Sequence, residues 1–422
     1  MVKEVRVGLV GLGTIGSGVV EILRDNAGLI ERRTGVRITL AAACDRFPER
    51  AQELKLAPGV FTNDYKQLIA NPNIDVIIEL IGGYEPAHAI LLEAIRAKKH
   101  VITANKAVLA KFGYELFDEA HKNGVNVLFE AAVGGCIPII RTIEESYSSD
   151  TIESIYGILN GTTNYVLSRM EEGMSYADAL KQAQTLGFAE ANPSFDVEGK
   201  DAAQKLSILA SLAFDARIEQ DIPAVGIAGF DARDMAYAKK LGYVVKLLAV
   251  AKNGADGVEL RVHPALVPAG SMLASVKDEF NAIRLSGKNT GEIFLSGKGA
   301  GKLPTATVVI TDIIEMGSRT RVAQRSFAPA RIKPIGETSS RYYLRMEVAN
   351  QPGVLAAITK ILGEKRISIA AVTQAEEESA VVPVILLTYE TREESIAAAV
   401  KEICVLPIIK APPVALRIET LR

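Results

Sequence analysis

Tryptophan is absent from this chain of 422 residues, cysteine occurs three times and histidine four times. The missing tryptophan decides nothing about function. The cysteines exclude more. Cys44, Cys136 and Cys404 are too scattered for a disulfide framework or a zinc spacing, which fits a reducing compartment and predicts a cytoplasmic protein. Charge of either sign is not in excess either. With 48 Lys and Arg against 50 Asp and Glu, the net charge of −2 offers no electrostatic case for nucleic acid or an anionic membrane as partner. No apolar run reaches the roughly 18 residues that would suggest a membrane span. The opening M-V-K-E-V-R-V-G-L-V leads straight into a strand, so no signal peptide is expected. What remains, 48% apolar and 23% charged residues, is the composition of a soluble globular protein. The length suggests roughly two to four domains.

Val5 to Val10 is an apolar run that predicts a strand, and Val19, Val20, Ile22 and Leu23 predict a helix after it. Between them stands Gly11-Leu12-Gly13-Thr14-Ile15-Gly16. G-x-G-x-x-G alone is weak, but between a strand and a helix it is a dinucleotide fingerprint. The first glycine makes the turn, the second lets backbone approach a pyrophosphate, and the third allows close helix packing. A second strand, Ile38 to Cys44, ends at Asp45 and Arg46, 29 residues past Gly16. Asp45 suits the ribose hydroxyls of NAD and Arg46 suits the 2′-phosphate of NADP. The balance tilts slightly to NAD, with dual use plausible. Further strands are expected at Ile74–Ile81, His100–Thr103 and Val125–Phe129. The strand at His100–Thr103 delivers Ala104-Asn105-Lys106 to the edge where open α/β sheets bind ligands. The last of these strands runs into the Gly-rich loop Glu130 to Pro138, whose carbonyls and single carboxylate suit a hard cation. Cys136 in that loop is either a small buried filler or a nucleophile of semialdehyde-dehydrogenase type. No histidine is close to it in sequence.

The densest chemistry lies between Ala183 and Lys205, where Glu190, Asp196, Glu198 and Asp201 precede Lys205. A helix is expected to begin near Asp196 and to run through Leu206, Ile208, Leu209 and Leu212, with Asp201 and Lys205 four apart on one face. Gly187 and Pro193 turn the loop before it. Earlier, Asn160-Gly161-Thr162-Thr163-Asn164 follows a strand at Ser154–Leu159 and opens a helix, with side chains suited to capping and to a polar substrate. Strands predicted at Tyr243–Val250, Val258–Val267, Ala282–Leu285 and Glu292–Leu295 read as α+β. Gly299-Ala300-Gly301 opens the last helix of this region, with Pro304 in its first turn. Beyond a polar linker, Arg331 to Ser340, the predicted order is β-α-β-β-α-β, a ferredoxin-like split βαβ.

The pattern of Ala183, Gly187, Phe188, Ala189, Asn192, Pro193, Asp196, Val197, Gly199, Asp201 and Lys205 resembles the signature of homoserine dehydrogenases, and A-N-K and N-G-T-T-N are similar to that family's other landmarks. The tail resembles an ACT domain, although Asn350 stands where the usual D-x-P-G-V-L turn has Asp. The resemblance spans nearly the whole chain. It implies a Rossmann-type dinucleotide-binding domain over residues 1–138, an α+β catalytic and dimerisation domain over 139–330 with 304–330 packing back on the first, and an ACT domain over 341–422.

The activity implied is NAD(P)-dependent interconversion of L-aspartate 4-semialdehyde and L-homoserine, in threonine, methionine and isoleucine biosynthesis, by a homodimer or homotetramer. The implied catalytic residues are Lys205, Lys106 and Asp201. The implied substrate contacts are Glu190, Asp201, Gly187 and Lys106. Cofactor contacts fall on Gly11, Gly13, Thr14, Ile15, Gly16, Asp45, Arg46, Lys106 and Gly301. A sodium ion is implied at Glu130, Val133, Gly135 and Ile137, and threonine or another amino acid at the ACT domain. A phosphorylating semialdehyde dehydrogenase and a non-catalytic NAD sensor stand as alternatives.

Overall fold

The computed structural model describes residues 2–318, 325–374 and 378–421, and resolves into two compact units, neither continuous in sequence. The first comprises Met1–Ile152, Gln204–Glu219 and Phe280–Pro329, and the second comprises Glu153–Ala203, Gln220–Glu279 and Ala330–Arg422.

The first unit is built on a six-stranded sheet of order β3-β2-β1-β4-β5-β6, parallel throughout. Its strands are β1 Lys3–Val10, β2 Val36–Cys44, β3 Phe61–Thr62, β4 Val76–Glu79, β5 His100–Thr103 and β6 Val127–Leu128. This is the doubly wound Rossmann order, and its strands are buried on both faces, which is why they read as unbroken apolar runs. The sequence reading lacked only β3, two residues long and without a pattern to see. Val5, Val7, Leu9, Val76, Ile78 and Ile102 form one core with Val19 of the helix Thr14–Thr34 and with Ala306, Val309, Ile310 and Ile313 of the helix Lys302–Ser318. That last helix thus completes the nucleotide-type core from far down the chain. Residues 319–324, within the stretch expected to pack back, lie outside the described residues.

The second unit carries a run of seven strands in one sheet. In spatial order they are Ile152–Ile158, Tyr243–Gly254, Gly257–Pro268, Val414–Ile418, Ser339–Ala349, Val381–Thr388 and Ile369–Gln374. The last four are the sheet of the ferredoxin-like module, in the order expected for βαββαβ. Tyr342, Leu344, Met346 and Val348 alternate into the module's core against Ile358, Leu362, Ile396 and Ile403. The intervening Tyr343, Arg345 and Glu347 therefore face the other way. There Arg345 forms a forked pair with Asp234, at 2.6 and 2.9 Å, and Tyr343 donates to the same carboxylate at 2.8 Å. Asp234 sits on the helix Ala232–Lys240, which the sequence pattern did not reveal.

The module is not a tail on a loose linker. Its final strand, Val414–Ile418, lies parallel to Gly257–Pro268 and antiparallel to Ser339–Ala349, so one strand joins the module to the rest of the sheet. The segment expected as a linker is itself docked, with Val258 bonded to both Arg331 and Lys333 through their backbones.

One other expectation changes. The helix expected from Asp196 is two helices, Ser194–Val197 and Lys200–Phe214, broken at Gly199, whose φ is +81°. The break has a non-local cause: Gly226 approaches so closely that a Cβ there would lie 2.0 Å from the Val197 carbonyl oxygen. After the Gly-rich loop the chain makes one α-helical turn, Ile139–Arg141, followed by a π-helical stretch, Thr142–Ser146.

Candidate active site

In the first unit the phosphate turn follows β1. Gly11 has φ +99°, and a Cβ on Gly16 would stand 1.9 Å from the Gly11 carbonyl oxygen, so both positions require glycine. The helix Thr14–Thr34 has Gly13 as N-cap with no side-chain cap, and among the described residues the nearest group from elsewhere in the chain to a Cβ placed on Gly13 is Arg50 Nη1, at 3.7 Å. An uncapped 21-residue helix beginning at an open glycine, with Thr14 and Ile15 in its first turn, fits a dinucleotide pyrophosphate.

Asp45 lies at the end of β2, as expected, but its carboxylate is buried and engaged. Oδ2 accepts from the Leu12 N–H at 2.7 Å and from Arg50 at 3.0 Å, and Oδ1 accepts from the Phe47 N–H at 3.0 Å. Burial alone would raise its pKa, yet these donors outweigh it and hold the carboxyl below its usual range. Arg46 is exposed, and the Arg46 and Arg50 guanidinium carbons lie 4.6 and 4.9 Å from the Phe47 ring centroid.

Lys106 begins the helix Lys106–Asn123 and is half-buried. A residue that sequence reasoning passed over fixes its approach. Glu79 is fully buried at the end of β4; it accepts from the Ile81 and Gly82 N–H groups at 2.8 and 3.1 Å and from the Thr103 hydroxyl at 2.6 Å. Asn105 caps the Val108 N–H and donates to the Gly83 carbonyl at 2.7 Å. The signal was present, since a glutamate inside I-D-V-I-I-E-L-I is out of place in a buried strand unless it has such partners.

The Gly-rich loop after β6 packs on the loop before Gly301. The Cys136 N–H donates to the Lys298 carbonyl, and a Cβ on Gly135 would lie 2.4 Å from Gly299. Cys136 itself is half-buried against Gly297, in the place of a small filler. Glu130 is buried, and its two oxygens accept from the Ile140 and Arg141 N–H groups at 2.7 and 2.8 Å. Burial nevertheless pushes its pKa up to about 7. Asp312, which accepts from the Glu130 N–H, is raised well above its ordinary value by burial and by the nearby Glu130 and Glu315. Val133, Gly135 and Ile137 are buried in the same loop. Gly301, with φ +132°, opens the helix Lys302–Ser318.

In the second unit the N-G-T-T-N turn draws the carboxylates together. Asn160 caps its helix by accepting from the Thr163 N–H at 2.9 Å. Its amide nitrogen donates to Asp196 at 2.7 Å and to Asp201 at 2.8 Å. One amide thus joins two acids that stand on either side of the helix break. Thr162 donates to the Phe188 carbonyl, tying this turn to the loop that holds Gly187 and Glu190, both exposed. Asp201 is buried in the first turn of the helix Lys200–Phe214, and Lys205, half-buried, follows one turn later on that same helix, in its part from Gln204 on that is counted with the first unit. The sequence grouped Asp196 with Asp201 and Lys205 and placed the last two on one face; Asn160 as the amide that joins the two acids is the structure's addition.

A doubly wound parallel sheet with a dinucleotide turn, an acid–lysine helix and a ferredoxin-like module together define an NAD(P)-dependent oxidoreductase with an ACT domain. Residues 138–314 match the homoserine dehydrogenase family, residues 11–130 its NAD-binding domain, and residues 342–407 the ACT domain. The chain is 42% identical to a homoserine dehydrogenase from Pseudomonas aeruginosa, covering 99% of this chain and 100% of that one, and 41% identical to one from Neisseria gonorrhoeae, covering 99% of each. A crystal structure of a homoserine dehydrogenase from Thiobacillus denitrificans superposes with a TM-score of 0.93 at 40% identity, covering 100% of this chain and 99% of that one. A hyperthermophilic archaeal homoserine dehydrogenase solved with NADPH gives a TM-score of 0.62 at 27% identity, covering 74% of this chain and 97% of that one. The chain belongs to the homoserine dehydrogenase family, whose members are NAD(P)-dependent oxidoreductases acting on a CH–OH group. Among the described residues no helix is long and apolar enough to cross a membrane.

Proposed function

We propose that this chain interconverts L-homoserine and L-aspartate 4-semialdehyde with the following division of labour. The observation that carries it is the Asn160 amide shared by Asp196 and Asp201, one helical turn before Lys205. Two carboxylates held at one amide make an acceptor for the substrate ammonium, and the exposed Glu190 loop adds to that end. Lys205 takes the hydroxyl proton in oxidation and returns it in reduction. Lys106, on its braced helix start, stabilises the negative charge that develops on the substrate oxygen. A bound nicotinamide accepts or supplies the hydride. Homoserine-dependent reduction of nicotinamide, followed by absorbance, tests the reaction; nucleotide binding without turnover would favour a sensor.

Cofactor choice follows from the arginines. With the Asp45 oxygens bonded to Leu12, Phe47 and Arg50, the groups left to meet a ribose substituent are the guanidinium groups stacked on Phe47. That arrangement supports a 2′-phosphate and moves the balance from NAD toward NADP. Arg46→Glu is expected to lower kcat/KM for NADP by about tenfold or more, the scale of one charge-assisted contact, with little change for NAD. An equal fall for both cofactors would contradict it.

Glu130 with the Val133, Gly135 and Ile137 carbonyls has the hard-oxygen chemistry of a sodium site, and the buried carboxylate is suited to a cation's charge. Sodium would there raise the unfolding temperature relative to choline at equal ionic strength. For the ACT domain, threonine is the natural effector of a homoserine-producing enzyme. Removing the module is a poor test, because Val414–Ile418 covers the edge of Gly257–Pro268. Gly353→Val is a better one: at φ +90° a β-branched residue distorts the N-Q-P-G turn, and threonine inhibition should need about tenfold more ligand while uninhibited turnover is kept.

A further inference from the structure

A lysine is buried where the fold has no use for a charge. Lys246 is 1% exposed on the strand Tyr243–Gly254, inside the run V-V-K-L-L-A-V. Its ammonium donates to two uncharged acceptors, Asn164 Oδ1 at 3.1 Å and the Val276 carbonyl. Burial pulls its pKa down to about 8; Glu171 and Asp278 act against that, and Lys277 adds to it. A buried ammonium whose bonded partners are neutral costs several kcal/mol, and an apolar side chain of its size would serve the packing better.

Both of its partners lead to the same turn. Asn164 closes N-G-T-T-N, and its amide donates to the Val276 and Asp278 carbonyls at 3.2 and 2.9 Å. The Asp278 N–H donates to Ser168 at 3.1 Å, and its carboxylate accepts from Arg169. The segment Val276 to Glu279 is thereby fixed, even with Asp278 at φ +55°. It then presses on the start of the turn: a Cβ on Gly161 would stand 2.6 Å from the Glu279 carbonyl oxygen. Gly161 follows Asn160, whose amide holds Asp196 and Asp201.

We propose that Lys246 is a positioning residue for substrate binding, bracing Asn164 and the Val276–Glu279 segment so that Asn160 holds Asp196 and Asp201 where they receive the substrate's ammonium. The proposal rests on those two acids being the ammonium site. Lys246→Met keeps the volume and removes the donors. It should raise the KM for homoserine about tenfold, the loss of one charge-assisted hydrogen bond, and leave kcat and the dinucleotide KM within about twofold. Combined with Asn164→Ala, the effects on KM should be less than additive, because both act through one contact. A residue serving the fold alone would shift the unfolding temperature with the homoserine KM untouched. That result in the folded variant overturns the proposal, as does a matching rise in the dinucleotide KM. Lys246→Gln retains one donor and serves if the Met variant does not fold; about threefold in KM is then expected, and no rise overturns the proposal. Asp201→Asn is measured in parallel. If it raises KM while Lys246→Met does not, only the bracing role fails. If Asp201→Asn leaves KM unchanged, the ammonium site and the proposal fail together.

Discussion

Replacing Lys205 with Met should lower kcat about 10³-fold and leave dinucleotide affinity unchanged, within the range lost when a positioned general base is removed. The reasoning starts with the helix. Leu206, Leu209 and Ala210 bury one face of Lys200–Phe214, and the four-residue spacing sets Asp201 and Lys205 on another. The acid is pinned by Asn160 at 2.8 Å, so the helix start cannot drift, and the amine one turn on inherits that precision. Oxidation of an alcohol requires the hydroxyl proton to leave as the hydride does, and without a base to take it hydride departure would leave a high-energy protonated carbonyl. A 10³-fold loss equals about 4 kcal/mol of barrier. Small primary amines added to a Lys205→Ala variant, which leaves the volume of the lost side chain empty, should recover part of the rate. A variant with turnover within about fivefold of the parent would remove Lys205 from the chemistry and turn attention to Lys106.

How much of this could be read beforehand depends on how local each cause is. The phosphate turn was legible because its glycine pattern is written within six residues, where Gly11 and Gly16 meet each other across the turn, even though Leu80 and Ile81 also crowd Gly11 from β4's end. Asp201 and Lys205 were legible for the same reason, as helical spacing is a local rule. The break at Gly199 was not, because apolar periodicity runs on past it and the cause, Gly226, arrives from elsewhere in sequence. Glu79 and Lys246 share another kind of illegibility. Each is a charge in an apolar run, and its meaning depends on partners distant in sequence, Thr103 for one and Asn164 and Val276 for the other. The C-terminal strand was recognised as a strand, but its second neighbour, Gly257–Pro268, follows from sheet order alone. Pairing across sequence distance is what a single pattern does not contain.

That shared strand leads to the second large effect. Glu419→Gln should destabilise the second unit by about 3–5 kcal/mol, the usual cost of stripping one partner from a buried ion pair. Glu419 directly follows Val414–Ile418, and its N–H continues the ladder by donating to the Leu266 carbonyl at 3.0 Å. Its carboxylate accepts from Arg261 at 2.9 Å, with side chains 3% and 1% exposed. Arg261 also reaches Glu259 at 2.9 Å and donates to His263 Nε2 at 3.2 Å, while His263 Nδ1 faces the Pro264 carbonyl at 3.1 Å. Burial holds that imidazole's pKa down, so it serves as a neutral acceptor. Burial by itself would raise the Glu419 pKa, but Arg261 outweighs it and keeps the carboxyl well below the ordinary range. A carboxylate whose folded pKa is depressed contributes stability that is present above its unfolded pKa, about 4.3, and disappears as pH falls through the folded value. Glu419→Gln should therefore lower the unfolding temperature at pH 7 and flatten its decline on acidification. Pairing Glu419→Leu with Arg261→Met discriminates between charge and packing: removing both ions should regain most of the loss, because the cost lies in a buried guanidinium that keeps Glu259 and His263 but has lost its buried carboxylate partner. If the single and double variants both unfold at the parent's temperature, the strand is held by its backbone ladder and apolar neighbours, and the ion pair contributes nothing to anchoring the ACT module.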